Sequence, residues 1–415
     1  MKSRPCRFLM TLWDGGGNAP PELGVARRVV ERGHQVHVLG DPTLADAARA
    51  VGCSFSSWSR APHRTTLDVA DDPVKDWEAK DQLDALRLLR DHLMSGPASA
   101  FAADTAAAIE AFEPDAVLAD AQMFGSVIAA QAVGLPVAVF LPNLWVVPTP
   151  GTGKRAVLKF VNRVVNAGLP DLNAARAEYG LEALSSFYDQ ILDANRIVVL
   201  SSETFDPASP FVPSNVRYVG PVLDDPSWTE PWSSPWPESN TDPLVLVAFT
   251  SVFQDQGPLL QRVIDALSSM EVRGVVALGL MLKPCEFVAT PNVAVVQSAP
   301  HNVLLKEASV VVSHCGHGTT MKALAAGVPM VCIPMGRDQD ATAARVVNQQ
   351  AGIHLPPTAS SAEIRLAVAK VLDHDDYREN ALRLASGLAR EHQPLDVVME
   401  LERLAGLVPS DAARV

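Results

Sequence analysis

Short apolar segments alternate along this chain with amphipathic segments, in which apolar residues recur every three or four positions. In segment 20–34 (PPELGVARRVVERGH), the apolar side chains would share one face of a helix that begins at the two prolines. Apolar segments too short for a helix predict buried strands, and their alternation with helices is typical of βαβ units. The first half therefore predicts parallel strands at 6–13, 35–40, 115–120, 136–141 and 196–201.

The pattern is interrupted at 221–243, where proline, serine, aspartate and tryptophan replace any regular period, as in a linker. A second series of strands and helices begins after it. The sequence thus predicts an α/β protein with two doubly wound halves, whose ligands would bind in a cleft at the carboxyl ends of the strands. The predicted parts are a first domain at 1–220, the linker at 221–243, a second domain at 244–385, and a tail at 386–415 whose amphipathic helix packs back on the first domain.

Composition narrows the choice of partners and compartment. The 415 residues are 48% hydrophobic and carry a net charge of −13, which argues against nucleic acid or an anionic membrane as the main partner. No segment approaches the roughly 18–20 apolar residues of a membrane-spanning helix, and the N-terminus lacks a signal-peptide cleavage site. The five cysteines lack the spacing of a zinc or redox motif. We expect a cytoplasmic protein with reduced thiols and no membrane insertion.

A polar turn at the end of a predicted strand is a candidate ligand site. His314 lies in this turn, and Thr319 opens the helix that follows. Free N–H groups at a helix start attract phosphate, and hydroxyl and imidazole groups can add hydrogen bonds. The next predicted strand leads into Asp338 and Gln339, an acid and an amide that suit the hydroxyls of a sugar. A ligand site and an ordinary βαβ unit with a capped helix explain these residues equally well.

Four segments in a fixed order strengthen the ligand-site hypothesis: 298–305 (SAPHNVLL), 314–320 (HCGHGTT), 327–339 (GVPMVCIPMGRDQ) and 343–346 (AARV). Together they resemble the donor-site signature of the nucleotide-sugar-dependent glycosyltransferases of family 1, of the bacterial natural-product and macrolide type. The resemblance implies the GT-B fold, with two Rossmann-like doubly wound parallel-sheet domains facing a central cleft. It covers about residues 6–400 and is least specific in the acceptor-facing loops.

The resemblance also implies roles for individual residues, all on the second domain. It places diphosphate binding, sugar binding and nucleobase contact in separate loops. The implied diphosphate-binding residues are His314, Gly316, Gly318, Thr319 and Ser251; the sugar-binding residues are Asp338 and Gln339; the nucleobase-lining residues are Ser298, Ala299, His301 and Val303.

Lys322 departs from the family pattern. Members often have a glutamate eight residues after the signature histidine, where it binds the ribose hydroxyls, and here that position is Lys322. A cation cannot accept a hydrogen bond from a hydroxyl. Lys322 would instead pair with a phosphate or turn away as a solvated surface lysine. The donor could therefore be a UDP-sugar, a dTDP-deoxysugar or another nucleotide sugar.

The loop after the first predicted strand contains a second departure. In segment 11–28 (TLWDGGGNAPPELGVARR), alignment of the helix with that of the family puts Asn18 where the catalytic histidine stands. That histidine takes the proton of the acceptor hydroxyl, and Asp120 matches the aspartate that orients it. The orienting acid is thus expected to be present, but the base is missing.

Three explanations of this loop remain open. Asp14 or Asp120 could take the proton directly, if burial raises the pKa of the carboxylate. The acceptor could be acidic, such as a phenol, with Asn18 only positioning it. The chain could also bind a sugar nucleotide without turning it over. Asp14 equally suits a structural role in a turn before glycine, and Asp120 one as a strand-end cap.

These expectations combine into an inverting glycosyltransferase that moves a sugar from a UDP- or dTDP-sugar to a hydrophobic small-molecule acceptor. The nucleotide sugar is a co-substrate, so no cofactor is expected, and we expect no DxD-like carboxylate cluster to be placed so that it holds a metal. The partners would be the donor and the acceptor, with the protein as a monomer or homodimer. Two alternatives are a non-catalytic sugar-nucleotide-binding helper of a partner transferase and a GT-B epimerase of UDP-sugars.

Overall fold

A computed structural model describes residues 4–145, 147, 155–226, 229–391 and 396–407. The chain forms two compact units. The first comprises the described residues of Met1–Glu203, Pro207–Val222 and Gln393–Val415, and the second those of Thr204–Asp206 and Leu223–His392.

The first unit is built on a seven-stranded sheet in which every pairing is parallel, in the order β3-β2-β1-β4-β5-β6-β7. Its strands are β1 (Arg7–Thr11), β2 (Gln35–Gly40), β3 (Ser54–Ser57), β4 (Ala116–Asp120), β5 (Val137–Leu141), β6 (Arg196–Val199) and β7 (Val216–Tyr218). Its helices are α1 (Ala19–Glu31), α2 (Ala45–Ala50), α3 (Gln82–Leu89), α4 (Ala98–Phe112), α5 (Phe124–Ala132), α6 (Arg155–Asn166), α7 (Leu169–Glu178), α8 (Asp189–Leu192) and, after the second unit, α15 (Asp396–Leu404). Short 3₁₀ turns lie at Pro42–Leu44, Val69–Asp71 and Asp76–Glu78, and a π-helical turn lies at Arg90–Met94.

The second unit has a six-stranded sheet, also parallel throughout, in the order β10-β9-β8-β11-β12-β13. Its strands are β8 (Leu244–Ala248), β9 (Arg273–Ala277), β10 (Val293–Val296), β11 (Ala308–Ser313), β12 (Met330–Cys332) and β13 (Gly352–His354). Its helices are α9 (Gly257–Ser268), α10 (His301–Leu304), α11 (His317–Ala325), α12 (Gln339–Asn348), α13 (Ser361–Asp373) and α14 (Asp375–Glu391), with a 3₁₀ turn at Pro284–Glu286.

The predicted strands of the first half are confirmed by β1, β2, β4, β5 and β6. Each residue of β4 and β5 is buried, as expected for central strands with helices on both faces. The predicted helix at 20–34 was too long, because α1 ends at Glu31. Gly33 adopts a φ of +101°, and the chain turns there into β2.

Each sheet has one point where the strand order reverses, between β1 and β4 in the first unit and between β8 and β11 in the second. At β1, β4 pairs on one side and β2 on the other, so the loops that follow β1 and β4 leave the same edge side by side. The same holds for the loops after β8 and β11. In open parallel sheets such a reversal is where ligands bind.

The described linker residues from Leu223 onwards belong to the second unit, and the last helix belongs to the first. Described residues of the linker are irregular; the Glu230 N–H donates to the Ser298 hydroxyl at 3.0 Å and the Trp236 indole N–H to the Pro291 carbonyl at 3.0 Å. The linker thereby follows β10, an edge strand of the second sheet. Helix α15 belongs to the first unit, where Val398 and Leu401 are buried in its core. Of the predicted tail, residues 408–415 lie outside the described part.

Candidate functional site

Asn18 holds the loop between β1 and α1 together through three hydrogen bonds. Its amide nitrogen donates to the Trp13 carbonyl and to Asp120 Oδ2, both at 2.9 Å. Its amide oxygen accepts the Gly15 N–H at 3.1 Å. Both amide hydrogens are thus used inside the protein, and only the oxygen keeps a spare lone pair. Asn18 can orient a hydroxyl group, but it cannot take its proton.

Asp120 lies at the end of β4 and is fully buried. Besides the bond from Asn18, its carboxylate accepts the Gln122 N–H at 2.9 Å. Burial raises the pKa of Asp120, and its polar neighbours Glu22, Gln122, Asn18 and Trp13 oppose that rise. The structure brings Asn18 and Asp120 together as the sequence predicts, with Asp120 behind the amide rather than open to a ligand.

Glu22, in the first turn of α1, is a buried carboxyl that the sequence analysis missed. Burial raises the pKa of Glu22 well above its ordinary value, and the neighbouring Asp120 raises it further. A helix start favours an anion by only about 0.3–1 kcal/mol, whereas removing an ion from water costs several kcal/mol. Burial therefore decides its protonation. A glutamate in a first helical turn is common, so no sequence signal distinguishes it.

Asp14 is half-buried and makes contacts typical of a turn. One carboxylate oxygen accepts the Gly16 N–H at 3.2 Å and the other accepts the Thr43 hydroxyl at 2.6 Å. Its own N–H donates to Asp41 at 2.9 Å. Asp41, directly after β2, is 3% exposed, and burial raises its pKa to about 7. Sequence reasoning missed Asp41, because its burial depends on the loops that cover it.

In the second unit, His314 follows β11 at the point where the strand order reverses. Its imidazole is buried and stacks on the ring of Phe249, which follows β8, with the centroids 5.8 Å apart. Burial lowers the pKa of His314 to about 4, so the ring is neutral at pH 7. A Cβ on Gly316 would lie 2.5 Å from His314 Nε2, so only glycine permits this close approach. His314 is thus a neutral hydrogen-bonding group in a fixed orientation.

The start of α11 lies directly beside His314. Gly316 caps the helix, and Gly318 and Thr319 stand in its first turn, where backbone N–H groups have no partner within a helix. Both residues are partly accessible. Ser251 is in the loop after β8, and β8 pairs with β11 through Ala248 and Ser313. The five residues proposed for diphosphate binding therefore occupy neighbouring loops at one sheet edge.

Asp338 and Gln339 lie at the start of α12, in the loop after the neighbouring strand β12. Asp338 is half-buried, whereas Gln339 is 3% exposed. The Gln339 amide oxygen accepts the Met335 N–H at 2.7 Å and the Gly336 N–H at 3.2 Å, and its nitrogen donates to Gln254 at 2.9 Å. The Gln339 side chain thus shapes the loop that presents Asp338.

The residues proposed to line a nucleobase differ in accessibility. Ser298 is buried, and its hydroxyl accepts the Glu230 N–H of the linker. Ala299 is also buried, whereas Val303 on α10 is 46% exposed. Burial and the charge of Lys322 lower the pKa of His301 to about 4. Only Val303 among them presents a largely open apolar surface.

Lys322 does not point into solvent, so the expectation of a solvated surface lysine was wrong. Its side chain is buried, and its ammonium lies 2.8 Å from Asp225 Oδ1. Asp225 belongs to the linker, 97 residues away in sequence. An irregular segment gives no period from which this partner could be predicted.

The described residues contain neither a candidate metal site nor a membrane-spanning helix. No group of three or more His, Cys, Asp or Glu side chains in them could hold a metal ion. None of the helices in that part of the chain is long and apolar enough to cross a membrane.

Comparisons with known proteins agree with this architecture. Residues 261–404 match the family described as erythromycin biosynthesis protein CIII-like, C-terminal domain. The chain is 28% identical to 4'-demethylrebeccamycin synthase of Lentzea aerocolonigenes, over 96% of this chain and 99% of that protein. It is 26% identical to demethyllactenocin mycarosyltransferase of Streptomyces fradiae, over 91% and 82%.

Solved structures share the fold. The glycosyltransferase of kitacinnamycin matches with a TM-score of 0.79 and 23% identity, over 97% of this chain and 99% of that one. The calicheamicin glycosyltransferase CalG4 matches with a TM-score of 0.78 and 22% identity, over 98% and 100%. Two parallel-sheet units of this kind define a protein of the GT-B class.

The sequence relatives make the assignment more specific. The chain is similar to bacterial natural-product glycosyltransferases, and it is a glycosyltransferase, an enzyme that transfers a sugar from a nucleotide sugar to an acceptor.

Proposed function

We propose that the enzyme transfers a sugar, with inversion, from a UDP- or dTDP-sugar to a phenol-type hydroxyl of a hydrophobic natural product. The observation that carries the proposal is the neutral, fixed His314 beside the open N-terminus of α11. Relatives support the donor class, since the glycosyltransferase VinC was solved in complex with dTDP at a TM-score of 0.71.

In this proposal the second unit binds the donor. The N–H groups of Gly318 and Thr319, with the helix dipole, face the diphosphate and stabilise the charge that develops as it leaves. His314 donates its single N–H to the diphosphate in place of the Ala248 carbonyl, which is its partner in the free protein, and Ser251 adds a hydroxyl. Asp338 accepts hydrogen bonds from the sugar. A neutral imidazole suits this task, since it can bind the anion without a buried positive charge on the ring.

The first unit would bind the acceptor. The hydroxyl oxygen of the acceptor forms a bond to the anomeric carbon of the sugar, while the bond from that carbon to the diphosphate oxygen breaks. The spare lone pair of Asn18 Oδ1 orients the hydroxyl, and the proton passes to Asp14, the less buried of the two candidate bases. A carboxylate is a weak base, so this arrangement favours an acidic hydroxyl over an alkyl alcohol.

A donor and acceptor screen tests the proposal. Thermal shift against UDP- and dTDP-sugars should identify the donor, because ligand binding raises stability with occupancy. Product formation is then measured with phenolic, macrolide and alkyl alcohol acceptors. Asp14→Asn should slow transfer to a phenol at least tenfold, whereas Asp120→Asn should act mainly by loosening Asn18. Unchanged rates in both variants would eliminate a carboxylate base.

Both amide hydrogens of Asn18 and one lone pair of its oxygen are used in hydrogen bonds within the protein. This favours a second candidate function, a sugar-nucleotide-binding helper of a partner transferase. The same screen separates the two. Tight donor binding, without product from any acceptor and without donor hydrolysis, would support the helper and contradict the enzyme. Release of a free epimerised sugar without acceptor would instead indicate an epimerase.

A further inference from the structure

Glu22 is a fully buried carboxyl beside the candidate acceptor loop, and the proposed reaction gives it no task. No N–H or O–H donor of the described residues reaches either of its oxygens. The group that acts on its carboxyl is the equally buried Asp120. The two acids come from different elements, Glu22 from the first turn of α1 and Asp120 from the end of β4.

No cation of the described residues acts on either carboxyl. Two adjacent buried carboxyls in such surroundings do not both ionise, so the pair holds one proton. Their surroundings decide where it resides. Asp120 accepts hydrogen bonds from the Asn18 amide and the Gln122 N–H, and both donors stabilise a carboxylate. Glu22 accepts from no described donor. The charge therefore belongs on Asp120 and the proton on Glu22.

We propose that Glu22 is a positioning residue, which stays protonated at neutral pH, donates its proton in a hydrogen bond to Asp120 and keeps Asp120 ionised for Asn18. Burial alone would favour protonation of Asp120. A protonated Asp120 would hold the Asn18 amide less firmly, and the oxygen of Asn18 would lose its fixed direction. The consequence for catalysis rests on the proposed function, but the protonation of Glu22 does not.

The groups that face this pair all come from three elements. Asn18 and Trp13 face Asp120 from the loop after β1, Gln122 from the loop after β4, and Glu22 from α1. Among the described residues, only Asp120 acts on the carboxyl of Glu22. The pair should thus titrate as one unit.

The first test requires no activity. Carboxyl ¹³C NMR of glutamate-labelled protein is followed from pH 5 to 8, and Glu22→Gln identifies the resonance. We expect the Glu22 signal to remain that of a protonated acid, while exposed glutamates, whose ordinary pKa is about 4.3, are ionised throughout this range. An ionised Glu22 at pH 7 would overturn the proposal. In the Asp120→Asn variant, the pKa of Glu22 should fall, because the negatively charged neighbour is gone.

The second test compares Glu22→Gln with Glu22→Leu in the pH dependence of kcat/KM. Glutamine keeps an N–H donor for Asp120, so the acid limb should stay near that of the native enzyme. Leucine removes the donor, so the limb should move to higher pH by about one unit. Equal losses of rate and stability without a shift of the limb would reduce Glu22 to a packing role. If no acceptor reacts at all, the proposed function fails while the NMR result still decides the protonation.

Discussion

The ammonium of Lys322 lies 2.8 Å from Asp225 Oδ1, and the other oxygen of that carboxylate accepts the Asn302 N–H at 3.1 Å. Asn302 in turn donates through its side chain to the Leu223 carbonyl of the linker at 3.1 Å. The ion pair thus connects the start of the linker to α11, and the hydrogen bonds of Asn302 connect it to α10. Lys322 acts on the position of the linker, beside the candidate donor site.

Removing one partner of this pair should destabilise the second unit. Lys322→Met leaves the largely buried Asp225 without its cation, and the expected loss is about 3 kcal/mol. The double variant Lys322→Met/Asp225→Leu should recover most of it, since neither charge then remains. Urea unfolding of both single variants and the double variant measures the coupling. Additive losses would contradict a direct interaction.

Gly316→Ala should disturb His314 without unfolding the protein. The new Cβ would lie 2.5 Å from Nε2, so the imidazole must move away from its stack on Phe249. We expect the affinity for a nucleoside diphosphate to fall at least tenfold by calorimetry. The matched control is Gly257→Ala at the start of α9, where an added Cβ meets nothing within 4 Å. Equal affinities in the two variants would remove His314 from the diphosphate site.

The buried imidazole of His314 should make the second unit sensitive to acid. The pKa of His314 is 6.5 in the unfolded chain and about 4 in the folded one. Its contribution to the free energy of unfolding is therefore complete above pH 6.5 and is lost as the pH falls towards 4. The difference corresponds to about 3 kcal/mol. His314→Gln should flatten the decline in unfolding free energy over that range, whereas exposed His374→Gln should not. An unchanged slope in His314→Gln would show that the ring protonates without cost.

Asp41 should have the opposite dependence in the first unit. The pKa of Asp41 is about 7 in the folded chain, above the ordinary 3.8. Its contribution to the free energy of unfolding is therefore complete below pH 3.8 and is lost as the pH rises through 7. Asp41→Asn can still accept the Asp14 N–H and avoids the buried charge. At pH 8 it should be more stable than the native chain by up to about 4 kcal/mol, with little gain at pH 4. Unfolding followed by tryptophan fluorescence at both pH values measures this, and an equal effect at both would contradict it.

The parts of the fold and site that the sequence could predict are those with a local signal. Apolar segments located β1, β2, β4 and β5, because central parallel strands are largely buried, and β4 and β5 are buried along their whole length. The ordered donor motif located His314 and the start of α11. The element bounds were less accurate, as the end of α1 at Glu31, before the turn at Gly33, shows.

What the sequence could not predict depends on contacts between distant segments. Glu22 meets Asp120 from 98 positions away, and Lys322 meets Asp225 from 97. Neither Glu22 nor Asp225 belongs to a sequence motif. The burial that changes the chemistry of these side chains exists only in the folded unit. Asn18 could be placed beside Asp120 by resemblance, but its bonds to Trp13 and Gly15 required the structure.

Asn18→His should widen the range of acceptors towards alkyl alcohols. An imidazole in place of the amide could accept a proton from a hydroxyl while its other nitrogen donates to Asp120, which now lies 2.9 Å from the Asn18 amide. We expect at least a tenfold gain in kcat/KM with an alkyl alcohol and a much smaller change with a phenol, which already loses its proton readily. Thermal unfolding serves as a check, since the variant gives up the bonds to Trp13 and Gly15. Asn18→His/Asp120→Asn is the matched control and should lose the gain, because an uncharged partner orients the imidazole less strongly. If Asn18→His folds and binds donor but gains nothing with alcohols, the loop after β1 does not face the acceptor.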